Sequence, residues 1–262
     1  MIAFHRWILL LLVAFVPQPP IYADSGIPNV IESQYRKMPI WVAASHALDE
    51  TGTFKTEIYG EQLSGSLNSH FDFLAKYSTI DASDCIAKRQ VVFSEAPDIP
   101  PRSLRESTRE NQRIIRLRVT GKEMGLHWSH YPATLFRALP VETIHGAVLD
   151  REVVYFAFPI GDMEIRGYQY CKTDHRFPQP PGVGDEVILF VEERILRHHD
   201  TYIELDSEPE IIILRANGTV DLAPQYVENV DDAFTSLPQS EATIHQYLAA
   251  LANSSDPSWR FQ

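Results

Sequence analysis

Short apolar runs separated by turn residues fill the chain between positions 113 and 222. In RIIRLRVTG, Leu117 and Val119 alternate with Arg116 and Arg118, which is typical of a strand with one buried face. In EVILFV the apolar residues run without interruption, which indicates a strand buried on both faces. About six strands follow one another here, because further runs occur in ATLFRALPVETIHG, AVLDREVVYFAFPIG and PEIIILRANGTVDL.

Prolines and glycines mark the boundaries of these strands. Pro140 weakens its run as a central strand, because proline cannot donate a hydrogen bond to a ladder. The stretch PQPPGVGDE predicts a turn that leads into the doubly buried strand, and it lacks the Lys-Ser/Thr pair of a phosphate-binding loop. Asn217 and Gly218 predict a hairpin with a two-residue turn, in which both residues adopt positive φ.

The sequence therefore predicts a mainly β fold with one β-barrel or sandwich at residues 113–222, an irregular N-terminal layer and a C-terminal helix. The order of strands followed by a helix resembles that of small Greek-key barrels of the OB type. This resemblance concerns only the order of the strands and the helix. It implies an architecture and assigns no functional residue.

The N-terminal region, residues 24–112, shows no continuous apolar period. Its clearest apolar island, MPIWVAASHAL, predicts a buried strand or a short helix that runs to Leu48. We interpret the Gly-, Ser- and Thr-rich residues 50–77 as loops around short strands, with a helical turn at HFDFLAKY. Prolines and charges at residues 95–112 predict a linker or a mobile loop.

The C-terminal tail, residues 223–262, contains one helical pattern. Ile244, Tyr247, Leu248 and Leu251 have the spacing of one apolar helix face, and Ser240 is a natural N-cap. This pattern predicts a helix that packs on the β core. The alternative is a helix that presents this face to a protein partner.

Residues 1–23 have the pattern of a secretory signal peptide. The basic start of this segment precedes the apolar run Trp7–Val16, and Ala23 is a suitable last residue before cleavage. An uncleaved anchor is the alternative, but spanning a bilayer takes about 20 apolar residues and this run is shorter. We therefore expect a periplasmic or secreted protein without a membrane span after cleavage.

The net charge of −12 disfavours partners that are themselves anionic. Such a surface repels phosphate backbones and acidic headgroups, so nucleic acid is not expected as a partner. Export would place the two cysteines, Cys85 and Cys171, in an oxidising compartment. We predict a disulfide between them, and two buried thiols without a bond are the alternative.

Histidines and acids supply the candidates for a metal site. The metal candidates are His198 and His199, followed by Asp200, together with Asp174 and His175. His127 and His130 have i, i+3 spacing. Adjacent side chains of a strand point to opposite faces, so two neighbouring histidines seldom reach one ion. None of these spacings is that of a defined zinc motif. The alternative for each cluster is a solvated loop or a hydrogen-bonded histidine near the core.

No motif for a nucleophile, a cofactor or paired catalytic carboxylates occurs in the sequence. The leading hypothesis is an exported, non-catalytic binding or structural module with no cofactor and no assigned catalytic residue. Aromatic residues such as Tyr168 and Tyr170 suit a ligand or sugar groove, or a half-buried sheet. The alternative hypothesis is a hydrolase, metal-dependent or otherwise, that uses His198, His199, Asp174 or His175.

Overall fold

The computed structural model describes residues 26–32, 39–77, 90–93, 113–128, 131–172, 179–191, 202–204, 211–222, 244–246 and 248–249. The strands are β1 Val30–Glu32, β2 Pro39–Ala43, β3 Gln90–Phe93, β4 Arg113–His127, β5 Pro132–His145, β6 Val154–Phe158, β7 Gly161–Ile165, β8 Tyr168–Lys172, β9 Glu186–Val191, β10 Tyr202–Glu204, β11 Ile211–Leu214 and β12 Val220–Leu222. The helices are α1 Ala44–Ala47 and α2 Thr56–Tyr77, and residues 244–246 and 248–249 are also helical.

A nine-stranded sheet dominates the molecule, which confirms the mainly β prediction. Its strands follow the order β10-β6-β5-β4-β9-β11-β12, and β2, which carries β1, pairs with the far end of β4. All of these pairs are antiparallel except β10 with β6. Among the described strands, β10 and β12 do not pair with each other, so hydrogen bonding does not close this sheet into a barrel.

Both faces of the large sheet are covered by apolar side chains. On one face, Ile115 belongs to a cluster of buried residues from β4, β5, β6, β9, β10 and β11. On the other face, Ile114 packs with Ile244 and Leu248 of the C-terminal helical residues. Every residue of β9 is buried, which confirms the prediction of a doubly buried strand. Ile244 and Leu248 are fully buried in the second cluster, as the predicted packing of this helix on the core requires. Tyr247 and Leu251 lie outside the described residues.

The two longest strands, β4 and β5, are bent where their register shifts. Leu117 pairs with Pro140 and Arg116 with Glu142, so Val141 is an extra residue in β5. Ile144 is a second extra residue of β5, between the partners of Ile114 and Ile115. Such β-bulges increase the local twist of a strand. Strand β6 pairs only with the first half of β5, so Pro140 lies where no described strand occupies the outer edge.

The structure corrects the N-terminal interpretation. Residues 56–77 form helix α2, which includes the helical turn predicted at HFDFLAKY; the rest of this segment was interpreted as loops around short strands. Leu67 and Phe71 are fully buried on one side of this helix, and Phe71 packs edge-on against Tyr170 of β8. This burial outweighs the poor helix propensity of the Gly and Ser residues, and Gly60 (φ 72°) marks the kink. The island MPIWVAASHAL forms both a strand, β2, and a short helix, α1.

A three-stranded sheet, β3-β8-β7, forms a second layer with α2. Strand β7 crosses the large sheet closely, because a Cβ at Gly161 would lie 2.8–2.9 Å from the backbone of Ala133. Arg166, in the β7–β8 turn, contacts three acceptors near α2: the Asp72 carboxylate, Asn68 Oδ1 and the Gly52 carbonyl. Arg166 therefore anchors the small sheet to the helix.

Arg166 adopts φ 52°, a left-handed conformation that costs a non-glycine residue about 1 kcal/mol or more. We expect Arg166→Ala to lower the free energy of unfolding by about 1–2 kcal/mol, because it removes the contacts to partly exposed partners. We expect Arg166→Gly to lose about 1 kcal/mol less, since glycine tolerates this φ. Urea denaturation of both variants tests this, and equal losses would show that the backbone conformation is not strained.

The β11–β12 hairpin is confirmed, but its turn differs from the prediction. Leu214 and Val220 form the last pair, and of the turn residues only Gly218 (φ 86°) has positive φ. Asn217 instead accepts hydrogen bonds at its Oδ1 atom from the backbone N–H (3.0 Å) and hydroxyl (2.8 Å) of Thr219. The loop is therefore longer than the two-residue turn that the Asn-Gly pair predicts.

Candidate functional site

Most residues that the sequence singled out lie outside the described residues. This applies to the metal candidates Asp174, His175, His198 and His199, and also to the linker at 95–112 and the signal segment. Within the described ranges, no three His, Cys, Asp or Glu side chains converge on a point that could hold a metal ion. The metal site therefore stays a prediction.

Cys171 lies on β8 and is buried at 3% exposure. It is not a free thiol, while Cys85 lies outside the described residues. The bond between the two cysteines stays a prediction, which a thiol titration of the unreduced, unfolded chain can test.

The most distinctive polar cluster lies at the tip of the β4–β5 hairpin. His127, the last residue of β4, is 4% exposed, and its ring stacks on that of Tyr131 with 5.2 Å between centroids. The Lys172 ammonium, at the end of β8, lies 3.8 Å from the centroid of the same Tyr131 ring, within cation–π range. The cluster thus joins the large sheet to the small one.

The imidazole of His127 is held in its neutral form. Burial lowers the pKa of His127 to about 3, and the positive charge of Lys172 makes a smaller contribution in the same direction. At neutral pH the ring is therefore an uncharged member of an aromatic stack. This arrangement fits the interpretation of a buried histidine and gives no support to a metal site shared with His130.

Trp128 directly follows His127 and is 37% exposed. The backbone N–H of Trp128 donates to the Ile40 carbonyl (2.8 Å), which holds this residue against β2. The centroids of the Trp128 and His127 rings are 5.6 Å apart. We call His127, Trp128, Tyr131 and Lys172 the aromatic platform. It presents a partly exposed indole beside a stacked histidine–tyrosine pair, and exposed aromatic side chains are common at binding surfaces.

Two ion-pair networks on the large sheet serve the architecture. Glu186 is 8% exposed and its carboxylate accepts from the guanidinium groups of both Arg116 and Arg118, the latter at 2.6 and 2.9 Å. These side chains extend from β9 and β4, which are adjacent strands. The Glu186 carboxylate therefore links β9 to β4 through these hydrogen bonds.

The second network is centred on Asp185, just before β9. Its carboxylate accepts from the backbone N–H groups of Gly182 (2.8 Å) and Ala216 (2.9 Å) and from the Arg215 guanidinium (3.0 Å). Burial alone would raise the pKa of Asp185, but these donors together hold it below its usual range. Arg215 also pairs with Asp221, so the network ties the PQPPGVGDE turn to the β11–β12 hairpin.

Sequence reasoning noticed His127 but missed the aromatic platform. The available signal was the run HWSHY, in which aromatic and histidine side chains cluster at a strand end. Its partner Lys172 comes from a different sheet, and no local pattern indicates that contact.

Among the residues that the structure describes, no helix combines the length and the apolar character needed to cross a membrane. A scan against protein-family models and a search of curated proteins gave no match to this chain.

Proposed function

We propose that the chain is an exported, non-catalytic binding module of the periplasm or the extracellular space, and that the aromatic platform is its contact surface. The observation that carries this proposal is the partly exposed indole of Trp128 beside the stacked rings of the buried His127 and the half-buried Tyr131. Tryptophan and tyrosine contribute a disproportionate share of binding energy at contact surfaces. The fitting ligand offers a flat apolar face, such as that of a sugar ring.

Two buried carboxylates already accept hydrogen bonds from neighbouring donors, which supports a role without catalysis. Glu186 and Asp185 are occupied by arginine and backbone donors, so their contacts stabilise the sheet and its turns. The proposal includes a barrel-like closure of the large sheet. Ile203 of β10 and Ile211 of β11 share one cluster although their strands are far apart in the sheet order.

Export rests on the signal pattern of residues 1–23. The first described residue, Gly26, accepts a hydrogen bond at its carbonyl from the Tyr155 hydroxyl (3.2 Å), so the chain is attached to β6 shortly after the proposed cut. N-terminal sequencing of protein recovered from outside the cytoplasm tests the cut. Asp24 as the first residue supports it, and an intact Met1 contradicts it.

Trp128→Ala is expected to weaken ligand binding by about tenfold or more, because it removes the exposed part of the indole. A loss of about 1–2 kcal/mol in the free energy of unfolding is expected as well, since the rest of the ring is buried, so binding is measured where the variant is fully folded. The measurement is a panel of neutral oligosaccharides, followed by calorimetric titration of each hit. Phe73→Ala removes an exposed aromatic ring elsewhere, on α2, and serves as the matched control. The absence of any hit, or equal affinity of the Trp128→Ala variant, contradicts the proposal.

A metal-dependent hydrolase is the second candidate, and one observation favours it. Tyr131 and Lys172 are in contact, and in the sequence His130 precedes the first while Asp174 and His175 follow the second closely. Elemental analysis of protein purified without added metal decides between the two. Stoichiometric zinc would replace the binding proposal with this one.

A further inference from the structure

Asn217 and Gly218 occupy the exposed turn of the β11–β12 hairpin. Residues 216–219 are all exposed, and the strands pair up to Leu214 and Val220. A glycine has no side chain that could shield its own backbone nitrogen. A Cβ added to Gly218 would meet no described atom within 4 Å, so water reaches this peptide bond freely. The Asn217 amide is therefore followed by an unhindered nitrogen in full contact with solvent.

The side-chain carbonyl of Asn217 is held by two donors of Thr219. Its Oδ1 atom accepts from the Thr219 backbone N–H (3.0 Å) and from the Thr219 hydroxyl (2.8 Å). The ring that the first of these hydrogen bonds closes contains both Asn217 Cγ and the Gly218 nitrogen, which keeps the two atoms close together. Oδ1 gains negative charge when that nitrogen attacks Cγ. The two donors of Thr219 already point at this oxygen, as the donors of an oxyanion hole do.

One contact of the turn opposes this attack. The Gly218 N–H donates to the Arg215 carbonyl (2.8 Å), and the nitrogen has to give up this proton before it can form a new bond. Loss of one backbone hydrogen bond slows the reaction roughly fivefold. Hydrogen bonds to a charged oxygen are roughly twice as strong as those between neutral groups. We therefore expect the two Thr219 donors on the developing oxyanion to outweigh the single contact that is lost.

We propose that Asn217 is a site of self-modification, at which the folded turn converts its own asparagine into a succinimide and then into isoaspartate or aspartate. The Gly218 nitrogen loses its proton to solvent and forms a bond to Asn217 Cγ. The bond from Cγ to Nδ2 breaks, and Nδ2 takes up a proton and leaves as ammonia. Water then adds to one of the two succinimide carbonyls and opens the ring. The sequence consumes one water, releases one ammonia and involves no oxidation or reduction.

The product changes the hairpin next to the Asp185 network. Arg215, two residues before the modified position, pairs with the carboxylates of Asp185 and Asp221. A new carboxylate at position 217 places a further negative charge close to these groups. Isoaspartate also lengthens the main chain by one carbon, which disturbs the hydrogen bond from the Arg215 N–H to the Thr219 carbonyl (2.8 Å). We therefore expect the modified hairpin to hold the PQPPGVGDE turn less firmly.

Peptide mapping by mass spectrometry tests the site on the full, folded chain during incubation in warm, slightly alkaline buffer. The peptide that contains Asn217 is expected to gain the mass difference between an amide and a carboxyl group, and an isoaspartyl methyltransferase should label it. Asn29 is the internal control, because it is also exposed but is followed by Val30, whose branched side chain hinders the nitrogen. An unmodified Asn217, or equal modification of Asn29, would overturn the proposal.

Thr219→Val removes the hydroxyl donor and keeps both the backbone N–H and a side chain of similar shape. This variant is expected to modify Asn217 about threefold more slowly than the wild type, or slower still. Thr219→Ser retains the hydroxyl and should react at the wild-type rate. In concentrated urea the contacts of the turn are lost, so all three chains should react equally. Equal rates of the folded Thr219→Val variant and the folded wild type would show that the turn does not promote the reaction and would overturn the proposal.

Discussion

Replacing Glu186 by alanine is expected to lower the free energy of unfolding by about 3 kcal/mol or more, because it leaves the buried Arg116 guanidinium without its carboxylate. The side chains of Arg116 and Glu186 are only 15% and 11% exposed. Removal of one partner from such a pair costs far more than the pair itself contributes. Urea denaturation followed by circular dichroism gives the value.

Two further variants separate this cause from a general loss of packing. Arg118→Ala should cost about 1 kcal/mol or less, because the Arg118 side chain is 58% exposed. Combining Arg116→Leu with Glu186→Leu removes both buried charges, and this double variant should recover most of the stability lost by Glu186→Ala. A Glu186→Ala variant within 1 kcal/mol of the wild type would contradict the assignment of this pair as a structural ion pair.

Gly125→Ala is expected to destabilise the fold by about 3 kcal/mol or more, or to prevent folding. A Cβ at this position would lie 2.2 Å from the Val42 carbonyl oxygen and 2.6 Å from an indole carbon of Trp41. The carbonyl belongs to the adjacent strand, and Trp41 is fully buried, so neither neighbour can move away cheaply. The midpoint of urea denaturation, with near-ultraviolet circular dichroism of the tryptophans, measures the effect.

Gly65→Ala is the matched control for this substitution. Gly65 lies inside α2, and an added Cβ would have no atom within 4 Å. This change should stabilise the protein by about 0.5–1 kcal/mol, since alanine is the better helix former. Stability of Gly125→Ala equal to that of the wild type would show that Trp41 does not pack on β4 as described.

The large sheet was largely predictable from sequence, because its strands carry local signals. The alternation at Leu117 and Val119 and the unbroken apolar run of β9 both predict what is observed. Helix α2 was not predictable in the same way. The glycines and serines around Leu67 suppress the helical signal, and the burial of Leu67 and Phe71 against the small sheet decides the outcome.

The candidate site depends on contacts between distant parts of the chain. A local pattern picks out His127, but only the packing of β8 on the hairpin tip brings Lys172 over Tyr131. The spacing of His127 and His130 is compatible with one face of a helix, but Trp128, Tyr131 and Pro132 favour a loop. In the structure His127 is the last residue of β4. The burial of an imidazole depends on its three-dimensional surroundings, so its lowered pKa could not be inferred from sequence.

The bent outer half of β5 also affects how copies of the chain meet one another. A straight, uncovered edge offers a continuous row of donors and acceptors to which a second molecule can add a strand, and this is a route to fibrils. Pro140 removes one donor from β5, and the extra residues Val141 and Ile144 break the spacing of the remaining groups. An incoming strand would lose register within a few residues, which protects this edge from self-association at high concentration.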